Sequence, residues 1–359
     1  MKSVTAMPTK EELKQLQALP LDVKVLRTQQ RIREWVRHYG VNGVYISFSG
    51  GKDSTVLLHI ARKMYPEIEA VFVNTGLEYP EIQRFVKMFP NIRILYPEMT
   101  FKDVLAKYGY PVISKETSHL VGTAKRSPEG KTAKAYFDGV TKGRYDQSRY
   151  KPLIGMDFRV DDRCCAIMKK KSIHRYGKMS DKVGITAQMA AESRLRETKW
   201  LKAGCNAFEA DDPISNPMAF WTEQDILLYI KTRNIEICSV YGDVVYDCDE
   251  PEQERFSDVT TLKLKTTGCS RTGCMFCAFG AHLEKGETRF QRLARTHPKQ
   301  YAFCIGGGAY DPSDGLWKPN EDGLGLGHVF DEINKVYGED FLRYKPLEEV
   351  ITDERTDNR

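Results

Sequence analysis

The chain reads as an α/β protein: a doubly wound, mainly parallel sheet with flanking helices, followed by a cysteine-rich C-terminal extension. Three observations predict this. The apolar run Gly43-Val44-Tyr45-Ile46 breaks at Ser47-Phe48-Ser49-Gly50-Gly51-Lys52-Asp53-Ser54 and resumes as Thr55-Val56-Leu57-Leu58-His59-Ile60, which is the pattern of strand, tight turn and helix. Further β-branched runs then alternate with helical spacing, the signature of parallel strands joined by crossover helices. Finally, five of the nine cysteines fall in two clusters, Cys164-Cys165 and Cys269 to Cys277.

Bulk composition bounds the function classes. The 359 residues are 41% hydrophobic and 29% charged, the balance of a folded globular protein. The length suits one large domain with additions, or two. A formal charge of +5 permits a nucleic-acid partner without arguing for one. No apolar run is long enough to span a membrane, so no membrane role is expected. Met1 to Lys14 is polar and lacks the apolar core of an export signal, which makes a cytoplasmic location the expectation. Nine cysteines in such a protein read as metal ligands or catalytic thiols rather than a disulfide framework.

In chain order, apolar residues at Val25, Leu26, Ile32, Trp35, Val36 and Tyr39 have helical spacing, with Gly40 as a stop. Residues 1–40 are therefore an N-terminal helical segment. The turn at Gly50 and Gly51 lets the backbone approach a ligand, and the amides at the following helix start suit a phosphate. Lys52 adds a point charge, and Ser49 and Ser54 add hydroxyls. Glu69 to Asn74 is a second strand, ending in Thr75-Gly76-Leu77-Glu78-Tyr79-Pro80-Glu81. Ile92 to Tyr96 is a third and Lys182 to Thr186 a fourth. Ligands of such sheets sit at the carboxyl ends of the strands, which places the 47–54 and 74–81 turns on one edge. Thr222 with Asp225 three residues on marks a helix start. These elements assign residues 41–235 to the nucleotide-binding domain and 236–359 to a cysteine-bearing and closing segment.

Residues 115–151 lack clean periodicity and carry nine Lys or Arg against four Asp or Glu, with Tyr136, Phe137, Tyr145 and Tyr150 interleaved. Such an insertion grips a polynucleotide by phosphate contact and stacking, or is a solvated excursion. Cys274 and Cys277 have the spacing by which one tight turn offers two thiolates to a metal, and Cys269 lies close enough to join. With Cys164 and Cys165 there are five candidates for the four ligands of a [4Fe–4S] cluster. A four-thiolate zinc site is the rival, and a redox Cys-x-x-Cys pair is third. Cys205, Cys238, Cys248 and Cys304 read as small core residues.

Several of these motifs together resemble one family. Ser49-Gly50-Gly51-Lys52-Asp53-Ser54 is similar to the phosphate loop of the PP-loop ATP pyrophosphatases, not to the Walker pattern. Thr75-Gly76 through Pro80-Glu81, Cys164-Cys165 with Lys169, and Thr186 to Arg196 resemble blocks of its phosphoadenosine phosphosulfate reductase-like branch. The likeness runs from Val41 to Gly280. It implies a PP-loop (HUP-like) fold with a bound nucleotide held by Ser47, Ser49, Gly50, Gly51, Lys52, Asp53, Ser54, Asn74, Thr75, Gly76, Thr186, Glu192 and Arg196. Lys52 and Asp53 would be catalytic, ATP and Mg²⁺ would be used, and an iron–sulfur cluster would be the metal centre, with zinc as the alternative.

Two departures shape the functional expectation. The loop keeps the full ATP-splitting form, which sulfonucleotide reductases usually alter. No cysteine follows Cys304, whereas such reductases carry a nucleophilic cysteine near their end. Ala187 and Met189 also stand where the family usually has Gly and an arginine facing an anionic substrate group. The expectation is an enzyme that splits ATP to AMP and pyrophosphate, adenylating an acceptor for cluster-assisted sulfur transfer. Transfer RNA or DNA, gripped through 115–151, is the candidate acceptor, with a sulfur-donor protein as partner and a homo-oligomer left open. Sulfonucleotide reduction and a non-catalytic, ATP-binding iron–sulfur subunit are the alternatives.

Overall fold

The structure, a computed structural model, describes residues 7–247 and 263–347. Cys248, read above as a core residue, and the charged residues 353–359 lie outside the described residues. The chain forms two units, one of Met1–Pro97 with Lys169–Gly273, the other of Glu98–Met168 with Cys274–Arg359. This division cuts across the boundaries expected at 40/41 and 235/236. The reason is pairing: residues 110–113 hydrogen-bond with the segments at 160 and 278–279, so the insertion and the chain's last part build one unit.

In the first unit, helices α1 (Lys10–Gln17) and α2 (Leu21–Tyr39) precede strand β1 (Val44–Ser47). Then come α3 (Lys52–Met64), β2 (Ala70–Val73), α4 (Pro80–Lys87) and β3 (Ile92–Leu95). After the excursion through the second unit follow α5 (Lys171–Ser180), β4 (Val183–Ile185), α6 (Arg194–Ala203), β5 (Asn206–Ala207), β6 (Ile214–Ser215) and α7 (Glu223–Arg233). The sheet order is β3-β2-β1-β4-β6-β5. All neighbours are parallel except β5 against β6. The order reverses between β1 and β4, where Ile46 sits opposite Ile185. A crevice opens at such a reversal, beyond the strand ends.

Burial explains the elements. Val44, Ile46, Val56, Leu57 and Ile60 are wholly buried and form the sheet–α3 core; Ile32 and Trp35 of α2 and Trp221 are wholly buried too. The α2 helix ends at Gly40, whose φ of 77° no other residue adopts cheaply. Its Thr28 hydroxyl accepts from Trp221 Nε1 at 2.9 Å. Lys24, also on α2, is 2% exposed, and its ammonium donates to Gln17 O at 2.6 Å and Asp225 Oδ2 at 2.7 Å. Asp225 simultaneously closes the capping box with Thr222 at the start of α7. One buried lysine thus ties the α1–α2 corner to α7.

The second unit has helices at Phe101–Tyr108, Lys115–Arg126, Lys131–Phe137, Arg289–Thr296, Pro298–Ile305 and Leu326–Tyr337. Its core holds Tyr110, Phe158, Phe290, Leu293 and Phe330. Buried Asp161 receives Arg163 at 2.7 Å and Arg126 at 3.0 Å, which fixes the turn that leads into Cys164. Among the described residues no helix is long and apolar enough to cross a membrane.

Removing one member of a buried ion pair leaves the other uncompensated, at a cost of about 3–5 kcal/mol. Lys24→Ala is therefore expected to lower stability by about that amount in chemical denaturation. Lys24→Met, which keeps the packed stem, still strands Asp225 and recovers only part of the loss.

Candidate nucleotide site and cysteine centre

The loop after β1 is built around what two glycines allow. Gly50 has φ 70°, and a Cβ there would meet Ile82 Cγ2 and Val86 Cγ2 of α4, each at 2.9 Å. Gly51 is the residue before α3, and its carbonyl accepts the Ser54 and Thr55 hydroxyls, each at 3.0 Å. Ser54 Oγ also accepts the Ser49 amide at 3.1 Å and lies 3.0 Å from Ser49 Oγ, so the hydroxyls close the turn on itself. Ser47 ends β1 opposite Val71.

Lys52 is buried, with its ammonium donating to Ser270 O at 2.8 Å and paired with Glu223 Oε1 at 2.9 Å. Two of its three N–H groups are thereby engaged. Its amide donates to Tyr241 Oη at 3.3 Å. Burial pushes the Tyr241 phenol up to about 12, so it is an uncharged hydroxyl at neutral pH, and it also hydrogen-bonds Thr272 Oγ1. Asp53 contrasts with Lys52. Burial raises its carboxyl against the pull of Lys52, Arg271 and Arg196, and Glu223 adds to the rise. Its Oδ1 is buried and, among the described residues, has no hydrogen-bond partner. An orphaned hard oxygen of this kind is suited to a divalent cation such as Mg²⁺.

Around the loop, Asn74 Oδ1 accepts the Gly76 amide at 3.0 Å. Buried Glu78 accepts the Thr75 amide at 2.9 Å and the Thr75 hydroxyl at 2.8 Å, and pairs with Lys169 at 3.2 Å. The turn after β2 is thus preformed by its own side chains. Beyond β4, Thr186 hydrogen-bonds Asn216. Glu192 accepts the Met189 amide at 3.1 Å and pairs with both Arg196 and Arg271, the latter at 3.2 Å. Burial and the Arg271 charge lower the Arg196 guanidinium, with Asp53 opposing. Met189, standing where the resemblance leads one to expect an arginine, is 2% exposed. That position is core here.

Sequence reasoning missed five members of this constellation: Glu223, Tyr241, Ser270, Arg271 and Thr272. Glu223 falls in a segment to which the sequence assigns only a structural role. Ser270 to Thr272 fall inside the cysteine motif, where the thiols draw attention. One signal was present: an arginine and two hydroxyls between glycines is an unusual way to space cysteines.

The cysteines separate into two groups. Cys164, Cys165, Cys274 and Cys277 belong to the second unit. A hydrogen bond with Cys165, burial and the charges of Cys165, Cys277 and Cys274 push the Cys164 thiol far up. Burial raises Cys277 too, as does Cys165, while the Phe279 amide, Arg289 and Lys115 oppose. Cysteine sulfurs are soft donors, and these four are of the type that a soft metal or an iron–sulfur cluster takes. Among the described residues no group of three or more His, Cys, Asp or Glu already stands at metal-holding geometry, so the fit is one of donor type. Cys269 lies in the first unit, where its charge acts on Cys238. Its amide donates to Val240 O at 2.9 Å.

The basic insertion is more engaged than its composition suggests. Lys125 donates to Phe158 O at 2.8 Å, Arg126 holds Asp161, Lys134 pairs with Glu129 at 3.0 Å and Lys151 with Asp138 at 2.7 Å. Arg149 lies over the Tyr150 and Phe341 rings.

A parallel sheet with a reversal at β1/β4 and a glycine turn of cations and hydroxyls beside it defines a nucleotide-binding α/β domain of the PP-loop type. The model of the phosphoadenosine phosphosulfate reductase domain matches residues 43–138 and 141–279, and the chain belongs to that family. It is 24% identical over 153 residues to a phosphoadenosine 5′-phosphosulfate reductase of Xylella fastidiosa, covering 39% of this chain and 64% of that one. It is 28% identical over 115 residues to the enzyme of that name in Xanthomonas oryzae, covering 30% and 47%. The chain therefore spans less than two thirds of these curated relatives. The crystal structure of phosphoadenylyl-sulfate reductase from Candida auris, a phosphate complex, aligns over 66% of this chain and 92% of its own, at 13% identity and a TM-score of 0.35.

Gly50→Ala would force a Cβ into Ile82 and Val86 while holding φ in the left-handed region. A loss of about 1–3 kcal/mol in unfolding free energy is expected, together with loss of nucleotide binding in calorimetry. A variant as stable as the parent would show that the turn is not built this way.

Proposed function

We propose that this chain is an ATP pyrophosphatase that adenylates an acceptor for sulfur transfer. The observation that carries the reading is the complete Ser49–Ser54 turn, with a buried lysine at the helix start and an unpartnered carboxylate oxygen on the next residue. An acceptor oxygen attacks the α-phosphorus of ATP. The bond from that phosphorus to the oxygen bridging to the β-phosphate breaks, and pyrophosphate leaves with the electron pair. Lys52 and Arg196 neutralise the charge that grows on the leaving group. Asp53 Oδ1 would hold Mg²⁺ against the phosphates. A sulfur nucleophile at the sulfide level then attacks the atom that bears the activated oxygen, and AMP leaves with that oxygen, so no net oxidation occurs.

Cys164, Cys165, Cys274 and Cys277 would hold a [4Fe–4S] cluster, or zinc, which when bound supplies or positions the sulfur. Supporting a polynucleotide acceptor are the exposed Lys131 and Lys142 of the basic insertion, with aromatic Tyr136 beside them. The names of the curated relatives support a second reading, reduction of a sulfonucleotide. Cys304 does not suit the nucleophile of that reaction, because it is wholly buried and its thiol is raised well above the ordinary range by that burial.

Anaerobically purified protein given Mg²⁺ and ATP is expected to release pyrophosphate when transfer RNA or DNA is supplied, and Lys52→Ala to lower kcat/KM by about 10²–10³-fold. Sulfite formed from adenylylated sulfate and reduced thioredoxin, without pyrophosphate release, would replace this reading by the second. Replacing Cys164, Cys165, Cys274 or Cys277 by Ala should cost the protein its bound iron or zinc in metal analysis. Cys269→Ala should retain it; equal loss from all five variants would contradict the four-ligand assignment.

A further inference from the structure

We propose that Arg271, carried on the strap Ser270–Thr272, is a third cationic ligand of the nucleotide's phosphates beside Lys52 and Arg196, and that Glu192 is the carboxylate it exchanges for them. The inference rests on the reading of the turn as a triphosphate site and adds to it a residue that comes from the cysteine motif.

The strap is fastened to the turn at both ends. Ser270 O accepts the Lys52 ammonium at 2.8 Å, and Thr272 Oγ1 shares a hydrogen bond with Tyr241 Oη, which accepts the Lys52 amide. Between these anchors Arg271 extends a side chain that is 62% exposed. It pairs with Glu192 Oε1 at 3.2 Å, and the other oxygen of that carboxylate pairs with Arg196. Two arginines that repel one another are therefore held together by a single carboxylate. Their field also reaches Asp53 in the turn.

Two guanidinium groups and a lysine converging beside a glycine turn form an arrangement suited to phosphate oxygens. Glu192 pairs with Arg196 and Arg271, and Glu223 with Lys52. A triphosphate carries more charge than either carboxylate and offers several oxygens in place of one pair, so it competes for Arg271 and Arg196 on favourable terms. Glu192 would retain its bond to the Met189 amide, which keeps the carboxylate beside the site rather than in it. Tyr241 acts as a positioning residue, because it holds both the loop amide and the strap.

The test uses the full chain and isothermal calorimetry with three probes: Mg²⁺–ATP, inorganic tripolyphosphate and AMP. Arg271→Ala is expected to weaken ATP and tripolyphosphate by about 10–100-fold and AMP by less than about threefold, with Arg271→Lys recovering part of the loss. Glu192→Gln, which retains an acceptor for the Met189 amide, is expected to tighten tripolyphosphate severalfold. The exposed Arg271 side chain can be removed without opening the core, and a thermal melt of each variant confirms it. If the parent protein binds neither ATP nor tripolyphosphate, the triphosphate reading of the turn itself fails. If the parent binds both and Arg271→Ala binds them equally well, or weakens AMP as much as ATP, Arg271 is not a phosphate ligand. Weaker tripolyphosphate binding by Glu192→Gln would overturn the exchange role of Glu192.

Discussion

No side chain can be built at residue 50 without displacing α4. The β1–α3 turn and the first turns of α4 pack so closely that a methyl group would lie 2.9 Å from two branched side chains. This approach sets the path of residues 48–51, and the path in turn directs the start of α3. Lys52 enters the helix already buried, and its amide and ammonium face a segment more than 180 residues further along. The serine hydroxyls at 49 and 54 bond to one another and to the backbone, which leaves the turn rigid before any ligand arrives. Preorganisation of this kind lowers the ordering cost of binding.

Charge is the second constraint. Lys52, Arg196 and Arg271 converge near one turn, balanced by Glu192 and Glu223, with Asp53 half-buried among them. Carboxylates that pair with cations at an anion site both stabilise the site and compete with its ligand. Glu223 sits in the first turn of α7, where the helix dipole favours a carboxylate, and two residues on Asp225 holds the buried Lys24. The nucleotide edge and the buried ion pair that joins α1, α2 and α7 thus share one helix start.

Much of this was legible in the sequence, and the reasons differ from place to place. Strands β1 to β4 and the helix from Leu21 to Tyr39 declare themselves through apolar spacing, and the turn through its glycines. The cap of Thr222 and Asp225 is local and was read correctly. The partners of Lys52 were not legible, because Glu223, Tyr241 and Ser270 lie 171 to 218 positions away and no periodicity links them. Cys269, Cys274 and Cys277 stand together as ligand candidates in the sequence because they are close in the chain. In space the backbone of Gly268 and Cys269 is bonded to Val240 and Tyr241, which draws the first half of the motif to the nucleotide turn. The second half, from Cys274, pairs its following strand with Val112–Ile113. Gly273 lies between the two halves. The two-unit division was not legible for the same reason: the strand pairings that close the second unit connect segments far apart in the chain.

The proposed function takes the turn as a triphosphate site rather than a sulfonucleotide site. It is tested most directly by equilibrium binding of a non-cleavable α,β-methylene analogue of ATP, in Mg²⁺, against adenylylated sulfate and its 3′-phosphorylated form. The triphosphate analogue is expected to bind at least about tenfold more tightly than either, as one to two further charge-assisted hydrogen bonds would give. Tighter binding of either sulfonucleotide would contradict it.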